Sequence, residues 1–187
     1  QELIGDPSRK LLISVGRFTQ PKGYPDLVEA FAKIHAAFPD TRLVIVGDGE
    51  LFTEINELVQ QKYLQDVITL TGLRHDVPAL LAASDLYINS SWWEGMSISV
   101  LEAMSAALPV VATDVGDTPN LVIHDTGLLV PSHHPDQLAQ TTIELLNQPD
   151  KMRQLGENAH QHVMENYSVQ VWVNRLLDLY REVIIEG

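Results

Sequence analysis

Six short apolar runs constrain the fold of this chain more than any other feature. Each is four or five residues long, and helical patterns separate most of them. Uninterrupted runs of this length are typical of parallel strands that are buried on both faces. The sequence therefore predicts an α/β fold: a doubly wound, Rossmann-like sheet of six parallel strands in the order 3-2-1-4-5-6. The predicted strands cover residues 11–15, 43–46, 67–70, 86–89, 110–113 and 127–130.

Apolar residues recur at helical spacing between the strands and again after the last one. The predicted helices cover residues 25–38, 50–63, 77–83, 97–108, 137–147, 151–166 and 169–185. We expect residues 1–187 to form one domain, in which residues 150–187 are additional C-terminal helices. The last helix packs either on this domain or on a partner domain, because it carries an apolar stripe of Val173, Leu176, Leu177, Tyr180, Val183 and Ile184.

Composition and charge exclude several classes of protein. Hydrophobic residues make up 45% of the chain and charged residues 20%, as in an ordinary soluble globular protein. The net charge of −13 argues against binding to nucleic acid or to an anionic membrane. The absence of cysteine excludes disulfides and thiol chemistry. No long apolar run and no signal-peptide pattern is found, so we expect a cytoplasmic protein whose first residues come from the middle of a longer chain.

The helix predicted over residues 97–108 contains an unusual charge. Glu102 is its only ionisable side chain, and the residues on either side of it in sequence are apolar. An ionised carboxylate is costly to bury unless hydrogen-bond donors meet it. We therefore expect Glu102 to meet a ligand, and a surface position on a one-sided helix is the alternative.

Two loops carry the other residues that are expected to bind a ligand. In a sheet of this order, a crevice opens between the loops that follow strands one and four. The first loop contains Arg17 and Lys22, and the second leads into a helix whose first N–H groups can bind an anion. Glycines at positions 16, 23 and 95 would let the backbone approach a bulky ligand. Two cations beside a helix start suit a diphosphate.

Two glutamates flank the predicted diphosphate position. Glu102 lies five residues past the helix start, which is roughly 7–8 Å along the axis and about the offset from a diphosphate to the ribose of a nucleotide. A carboxylate can accept hydrogen bonds from two vicinal hydroxyls together. Glu94 precedes the helix and would face the group at the other end of the diphosphate, a sugar with several hydroxyls.

These residues and several ordered motifs resemble one family of enzymes. Glu94 and Glu102 form an E-x7-E pair, and the chain also contains VGR…KG, LVIVGDGE, ITLTG…LLAASD, PVVATDVG and TGLLVP. From about residue 11 to residue 146, the chain resembles the nucleotide-sugar-binding, C-terminal half of a retaining GT-B glycosyltransferase of family 4 (group 1). The resemblance implies a hexosyltransferase-type enzyme of polysaccharide, lipopolysaccharide or glycolipid synthesis, whose donor is a UDP- or GDP-linked sugar.

The resemblance also implies a role for each residue. Arg17 and Lys22 would bind the donor diphosphate, Glu94 the donor sugar and Glu102 the ribose, and Glu94, Arg17 and Lys22 would form the catalytic set. Ser97, where many members have proline, is expected to cap the helix. The other donor-binding positions would be Gly16, Leu73, Arg74, Gly95, Met96 and Ile98, with Leu73 and Arg74 at the base.

The resemblance implies that half of the enzyme lies outside this chain. An N-terminal domain would bind the acceptor, a glycan or a lipid-linked glycan, and would make any peripheral contact with a membrane. Arg17, Lys22 and the helix amides would stabilise the leaving diphosphate. No Asp-x-Asp metal motif is found in a plausible setting, so neither a metal nor a cofactor is expected. The chain alone should not catalyse transfer.

Other functions stay open at this point. The chain could be a nucleotide-binding module without catalysis, or part of a related GT-B epimerase or phosphorylase. A NAD-linked dehydrogenase is disfavoured, because Gly16 and Arg17 follow the first strand in place of G-x-G-x-x-G. The glycine-rich segment of residues 47–49 is expected to be a turn.

Aromatic residues and histidines near these loops have simpler interpretations. Trp92 and Trp93 are expected to pack the loop or the face between domains in preference to stacking on a base. The histidine pairs at positions 133/134 and 160/162 lack the carboxylate or cysteine framework of a metal site. They are expected to be solvated.

Overall fold

The sheet consists of six parallel strands in the order β3-β2-β1-β4-β5-β6, which confirms the predicted topology. The computed structural model describes residues 9–185, with side chains through residue 182. The strands are β1 (Lys10–Val15), β2 (Thr41–Val46), β3 (Ile68–Leu70), β4 (Leu86–Asn89), β5 (Val110–Thr113) and β6 (Leu128–Val130). The strand order reverses between β1 and β4, so the loops that follow these two strands border one crevice.

Helices cover both faces of the sheet and the C-terminal end of the described chain. They are α1 (Tyr24–Ala37), α2 (Phe52–Gln61), α3 (Val77–Ala82), α4 (Ile98–Ser105), α5 (Thr118–Leu121), α6 (Pro135–Leu146), α7 (Pro149–Asn166) and α8 (Val169–Ile185). The sequence pattern does not predict α5 or the single 3-10 turn at Gln20–Lys22. The predicted end of α4 at residue 108 is wrong. Ala107 adopts a left-handed backbone (φ 58°), and the Leu108 N–H bonds back to the Ala103 carbonyl.

Two apolar cores, one on each face, hold the sheet between its helices. Because side chains alternate along a strand, Leu12 of β1 packs into one core whereas Leu11 and Ile13 pack into the other. The first core joins the sheet to α1, α2 and α6, the second joins it to α3, α4 and α5, and α7 contributes to both. Both faces of the sheet are therefore closed, and the ends of the strands carry the accessible polar groups.

The apolar side chains of α8 remain largely outside the two cores. Val169, Trp172 and Tyr180 are exposed by 78%, 63% and 57%, so this helix does not dock closely on the described part of the domain. Val183 and Ile184 of the predicted stripe lie outside the described side chains. Among the helices of residues 9–185, none is long and apolar enough to cross a bilayer.

Candidate functional site

A cleft of about 630 Å³ opens at the carboxyl ends of β1 and β4, where the strand order predicts it. We call it the main cleft. Its lining comes from the loop after β1, the loop after β4 and the first turns of α4: Val15, Gly16, Arg17, Thr19, Pro21, Lys22, Trp93, Glu94, Met96, Ser97, Ile98, Ser99 and Glu102. Both predicted cations, both predicted glutamates and the start of the helix therefore border one cavity.

Hydrogen bonds to two backbone carbonyls of the first loop hold the two loops together. The Trp92 N–H donates to the Pro21 carbonyl at 2.7 Å, and the Ser90 hydroxyl donates to the Lys22 carbonyl at 3.0 Å. Gly23 permits this approach: it has a φ of 60°, and a Cβ there would lie 2.2 Å from the Ser90 carbonyl oxygen. The 3-10 turn before Gly23 places Lys22 against the second loop.

Lys22 and Glu94 form an ion pair inside the main cleft. Nζ of Lys22 lies 2.5 Å from Oε1 of Glu94. Their side chains are only 21% and 10% exposed, so water screens the pair less than it screens a surface salt bridge. The two residues that were predicted to meet different parts of a ligand are thus partners of each other.

Three buried polar residues, Asn89, Ser91 and Thr113, hold the carboxylate of Glu94 directly or through one another. The Ser91 hydroxyl donates to Oε1 of Glu94 at 2.7 Å, and the Asn89 amide reaches the same oxygen at 3.4 Å. Oδ1 of Asn89 accepts from the Ser91 N–H at 3.2 Å, which turns its NH2 group toward Glu94, and the Thr113 hydroxyl donates to the Ser91 carbonyl at 2.6 Å. All of the contacts to Glu94 end on Oε1, and no hydrogen bond from a described residue ends on Oε2.

Arg17 is exposed and lines the main cleft without an ion pair to any residue in the described range. The neighbouring Gly16 lines the same cleft. A Cβ at Gly16 would approach the Lys22 side chain at 3.1 Å, so a larger residue there would press on the Lys22 side chain. The guanidinium of Arg17 is therefore available to a ligand, whereas the ammonium of Lys22 is already occupied.

Four residues at the start of α4 line the main cleft: Met96, Ser97, Ile98 and Ser99. Ser97 occupies the N-cap position, but its side chain forms no capping hydrogen bond, so the prediction that it caps the helix is wrong. Its hydroxyl lies 3.4 Å from that of Ser99 instead. Met96 and Ile98 are exposed and line the cleft. Gly95 is exposed, stands outside the lining of the main cleft, and has open space where a Cβ would be.

The environment of Glu102 differs from the prediction. Glu102 lines the main cleft and is exposed, so it occupies the surface of a one-sided helix, the position given above as the alternative. The cause is that α4 is buried on one face only, through Val100, Ala103 and Met104. The apolar Ile98 on the other face is 60% exposed. Glu102 is thus accessible to a ligand and does not need an internal partner.

A second cleft of about 410 Å³, the side cleft, shares Gly16 and Arg17 with the main cleft. Residues after β2 and β3 form its other walls, including the predicted base-binding residues Leu73 and Arg74. Leu73 is 72% exposed. Arg74 donates two hydrogen bonds to Asp76, at 2.8 and 2.6 Å, and these bonds lower the pKa of the Asp76 carboxyl. The pair fixes the guanidinium of Arg74 at the edge of the cleft.

Two tyrosines lie beneath the site and are held neutral by burial. Burial raises the pKa of both Tyr24 and Tyr87 far above the usual value for a phenol. The Tyr87 hydroxyl donates to the Val15 carbonyl at 3.2 Å, and the buried Tyr24 hydroxyl has no partner among the described residues. Neither tyrosine can therefore serve as an anionic group at the cleft.

The two tryptophans have different environments. Trp92 donates from Nε1 to Asp26 at 2.6 Å and stacks on His133 with 4.6 Å between ring centroids. Trp92 thus packs the loop, as predicted, and His133 is part of that packing. Trp93 is 68% exposed and lines the main cleft. Within residues 9–182, no group of three histidine, aspartate or glutamate side chains is arranged to hold a metal ion.

Sequence reasoning missed the support of Glu94 by Asn89, Ser91 and Thr113. All three are buried polar residues at the carboxyl ends of β4 and β5. Asn89 and Thr113 are the polar last residues of otherwise apolar strands. This pattern is visible in the sequence, and it predicts hydrogen-bond partners because buried polar groups need them. The strand order brings the ends of β4 and β5 together, but it does not show that Asn89 and Ser91 contact Glu94.

Comparison with known proteins places this domain among larger enzymes. The chain is 34% identical over 178 residues to N-acetyl-alpha-D-glucosaminyl L-malate synthase of Bacillus anthracis, a match that covers 95% of this chain and 46% of the relative. Sucrose-phosphate synthase from Thermosynechococcus elongatus shares its fold with a TM-score of 0.89 and 28% identity, over 100% of this chain and 48% of that one. The chain thus spans about half the length of these relatives.

A third comparison matches a separately solved domain. The C-terminal domain of the group 1 family protein LpcC from Francisella tularensis superposes with a TM-score of 0.79 at 24% identity, over 90% of this chain and 93% of that one. Residues 2–162 match the family model described as glycosyl transferases group 1. A match over most of the chain, together with the GT-B fold of its structural relatives, shows that this chain belongs to the group 1 glycosyl transferases.

Proposed function

We propose that this chain is the donor-binding, C-terminal half of a retaining, metal-independent glycosyltransferase of family 4, and that it binds a UDP- or GDP-linked sugar. One observation carries the proposal: Arg17, Lys22, Glu94, Glu102 and the start of α4 border a single cleft at the switch point of the sheet. Ligands of open α/β sheets bind at this position.

The diphosphate is assigned to the part of the main cleft between Arg17, Lys22 and α4. The chain has only 12 lysines and arginines against 25 acidic residues, yet two of these cations border this cleft. The amides of the first turn of α4 add the positive end of a helix dipole. A doubly charged group is stabilised here in spite of the net charge of −13.

Glu94 and Glu102 are assigned to hydroxyl groups on either side of the diphosphate. Oε2 of Glu94 accepts no hydrogen bond from the described residues, so it can accept one from a donor sugar. Glu102 is exposed on α4, past the first turn, where the ribose hydroxyls would reach it. A carboxylate offers the acceptor capacity that a pair of vicinal hydroxyls requires.

The base is assigned to the side cleft. The side cleft joins the main cleft at Gly16 and Arg17, so a nucleotide can extend from one into the other. The exposed apolar face of Leu73 and the guanidinium of Arg74, held by Asp76, would contact the ring. Leu73 would act through packing, and Arg74 through stacking as well as hydrogen bonds.

Transfer breaks the bond between the anomeric carbon and the diphosphate oxygen, and the electron pair of that bond goes to the diphosphate. The new bond forms from the acceptor hydroxyl on the same face of the sugar, and the proton of that hydroxyl passes to the departing diphosphate oxygen. Negative charge grows on the leaving diphosphate, and Arg17, Lys22 and the α4 amides stabilise it. These groups take the part that a divalent cation plays in metal-dependent transferases, and no cofactor enters the scheme.

The acceptor is assigned to the other half of the enzyme. We propose a glycan or lipid-linked glycan as acceptor, and synthesis of polysaccharide, lipopolysaccharide or glycolipid as the pathway. Any contact with a membrane surface would be made by that half, at the cytoplasmic side. The isolated chain should bind the donor without transferring the sugar.

Calorimetric titration of the chain with UDP, GDP and ADP, and with their glucose and mannose conjugates, tests this function. We expect one base to be preferred and the diphosphate to bind far better than the nucleoside. Absence of binding to every nucleotide would refute the proposal. Nucleotide binding without transfer in the two-domain protein would support a non-catalytic module, and robust transfer by the isolated chain would refute its assignment as a half enzyme.

A further inference from the structure

The ion pair of Lys22 and Glu94 places a carboxylate on a cation that the proposed function assigns to the diphosphate. Nζ of Lys22 and Oε1 of Glu94 are 2.5 Å apart, and both side chains are mostly buried. A diphosphate that binds Lys22 must therefore replace the carboxylate or share the ammonium with it. Either event leaves the mostly buried carboxylate of Glu94 with less compensation for its charge.

Glu94 is not free to leave when an anion arrives. Ser91 and Asn89 hold Oε1 by hydrogen bonds, and Thr113 holds Ser91 through a hydrogen bond to its carbonyl. These donors would keep the charged carboxylate beside the phosphate groups. Two anions held close together repel each other, most strongly where water is excluded.

The consequence differs between two ligands that share the same nucleotide. A nucleoside diphosphate brings only negative charge to Glu94, so the repulsion is not offset. A nucleotide-sugar carries one charge less on its second phosphate and adds hydroxyl groups that can donate to Oε2 of Glu94. When Lys22 turns to the phosphates, the sugar hydroxyls therefore replace it as the partner of Glu94.

On the basis of the proposed function, we propose that the Lys22–Glu94 ion pair makes the site select the intact nucleotide-sugar over the released nucleoside diphosphate. Glu94 is then a specificity-determining residue, and Asn89, Ser91 and Thr113 are the positioning residues that hold it. The pair favours departure of the product nucleotide, because the carboxylate competes with it for Lys22. Donor and product are thus distinguished by a residue that contacts both.

Calorimetry on Glu94→Gln tests this selection. The substitution keeps the size of the side chain and its Oε1 acceptor, but it removes the charge. We expect the preferred nucleoside diphosphate of UDP, GDP and ADP to bind about fivefold more tightly or better, because even exposed ion pairs reach that level and this one is mostly buried. The sugar conjugate should bind more weakly than to the wild type. Glu94→Ala, a second uncharged variant, is measured beside it, with thermal unfolding as the check on folding.

Glu102→Gln is the matched control, since it neutralises the other carboxylate of the same cleft. It should change the affinities for nucleoside diphosphate and sugar conjugate by the same factor, and so leave their ratio unaltered. Unchanged or weaker binding of the nucleoside diphosphate to the folded Glu94 variants would overturn the selection while leaving the donor site intact. A wild-type chain that binds no nucleotide would overturn the proposed function, and this inference with it.

Discussion

The main cleft contains two pairs of charged residues that look equivalent in the sequence and differ in the structure. Lys22 and Glu94 are largely buried and bonded to each other. Arg17 and Glu102 are exposed, and neither forms an ion pair with a described residue. Each pair has one cation from the loop after β1 and one carboxylate from the chain after β4. The two pairs therefore differ in burial, although the spacing of the motifs gives no reason to distinguish them.

The difference follows from the cost of removing a charge from water. Glu94 is 10% exposed through its side chain, and it is supported by Lys22, Ser91 and Asn89. Glu102 keeps its contact with water and needs no such support. A buried charge has to be satisfied by the protein before any ligand arrives. We therefore expect the inner pair to affect stability as well as ligand binding, and the outer pair to affect ligand binding alone.

The largest effect should come from the outer cation. Arg17→Ala should weaken nucleoside diphosphate binding roughly 10- to 100-fold, because a hydrogen bond to a charged group contributes about 1.5–3 kcal/mol. Nucleoside binding should hardly change, and the unfolding midpoint in urea should stay within error. Calorimetry with the diphosphate and the matching nucleoside measures both. Equal losses for the two ligands would refute the diphosphate assignment.

The inner cation should instead govern stability. Lys22→Met leaves Glu94 mostly buried without its ion-pair partner, which should lower the free energy of unfolding by about 1–3 kcal/mol, a value reduced for the partial exposure of the pair. Arg17→Met is the matched control, with an expected change below about 0.5 kcal/mol. Urea denaturation at pH 7 compares the two. Similar losses of unfolding free energy in both variants would show that the difference in burial does not affect stability.

A smaller effect is expected from the support beneath Glu94. Ser91→Ala removes one donor to Oε1 and should lower the free energy of unfolding by about 1 kcal/mol. Ser99→Ala removes another hydroxyl of the same cleft, which lies 3.4 Å from that of Ser97 and next to the Tyr87 hydroxyl, and it should lower the free energy of unfolding less than Ser91→Ala does. Denaturation curves for the two variants decide the point. A neutral Ser91→Ala would mean that the Ser91 hydroxyl does not help to hold Glu94.

The smallest effect is expected from the outer carboxylate. Glu102→Gln should weaken ribonucleotide binding about threefold, because a neutral amide replaces the charged acceptor of the ribose hydroxyls. Binding of a 2′,3′-dideoxynucleotide should be almost unaffected, since that ligand has no hydroxyl at these positions. The ratio of the two calorimetric affinities is the measurement. Equal sensitivity of both nucleotides would remove the ribose role of Glu102.

Local sequence pattern predicts most of the fold, because apolar runs and helical spacing are local properties. Each strand lies within two residues of its predicted bounds, and the strand order agrees. The order then brings the loops after β1 and β4 together, which places Arg17 and Lys22 in the same cleft as Glu94. This much of the site follows from topology.

The rest depends on tertiary contacts that spacing does not encode. The sequence around Glu102 is apolar on both sides, and only the packing of α4 shows which face is buried. The contact between Lys22 and Glu94 requires the 3-10 turn before Gly23, which the apolar periodicity of the sequence does not predict. The capping role expected of Ser97 fails because its hydroxyl lies near Ser99 instead of bonding to the helix amides.

The most direct test is a crystal structure of the chain with the nucleoside diphosphate that calorimetry selects. We expect the phosphate oxygens within hydrogen-bond distance of Arg17, Lys22 and the first amides of α4, the ribose at Glu102 and the base beside Leu73 and Arg74. Phosphates bound elsewhere, with Lys22 still paired to Glu94 and the main cleft without nucleotide, would contradict the donor site proposed for this domain.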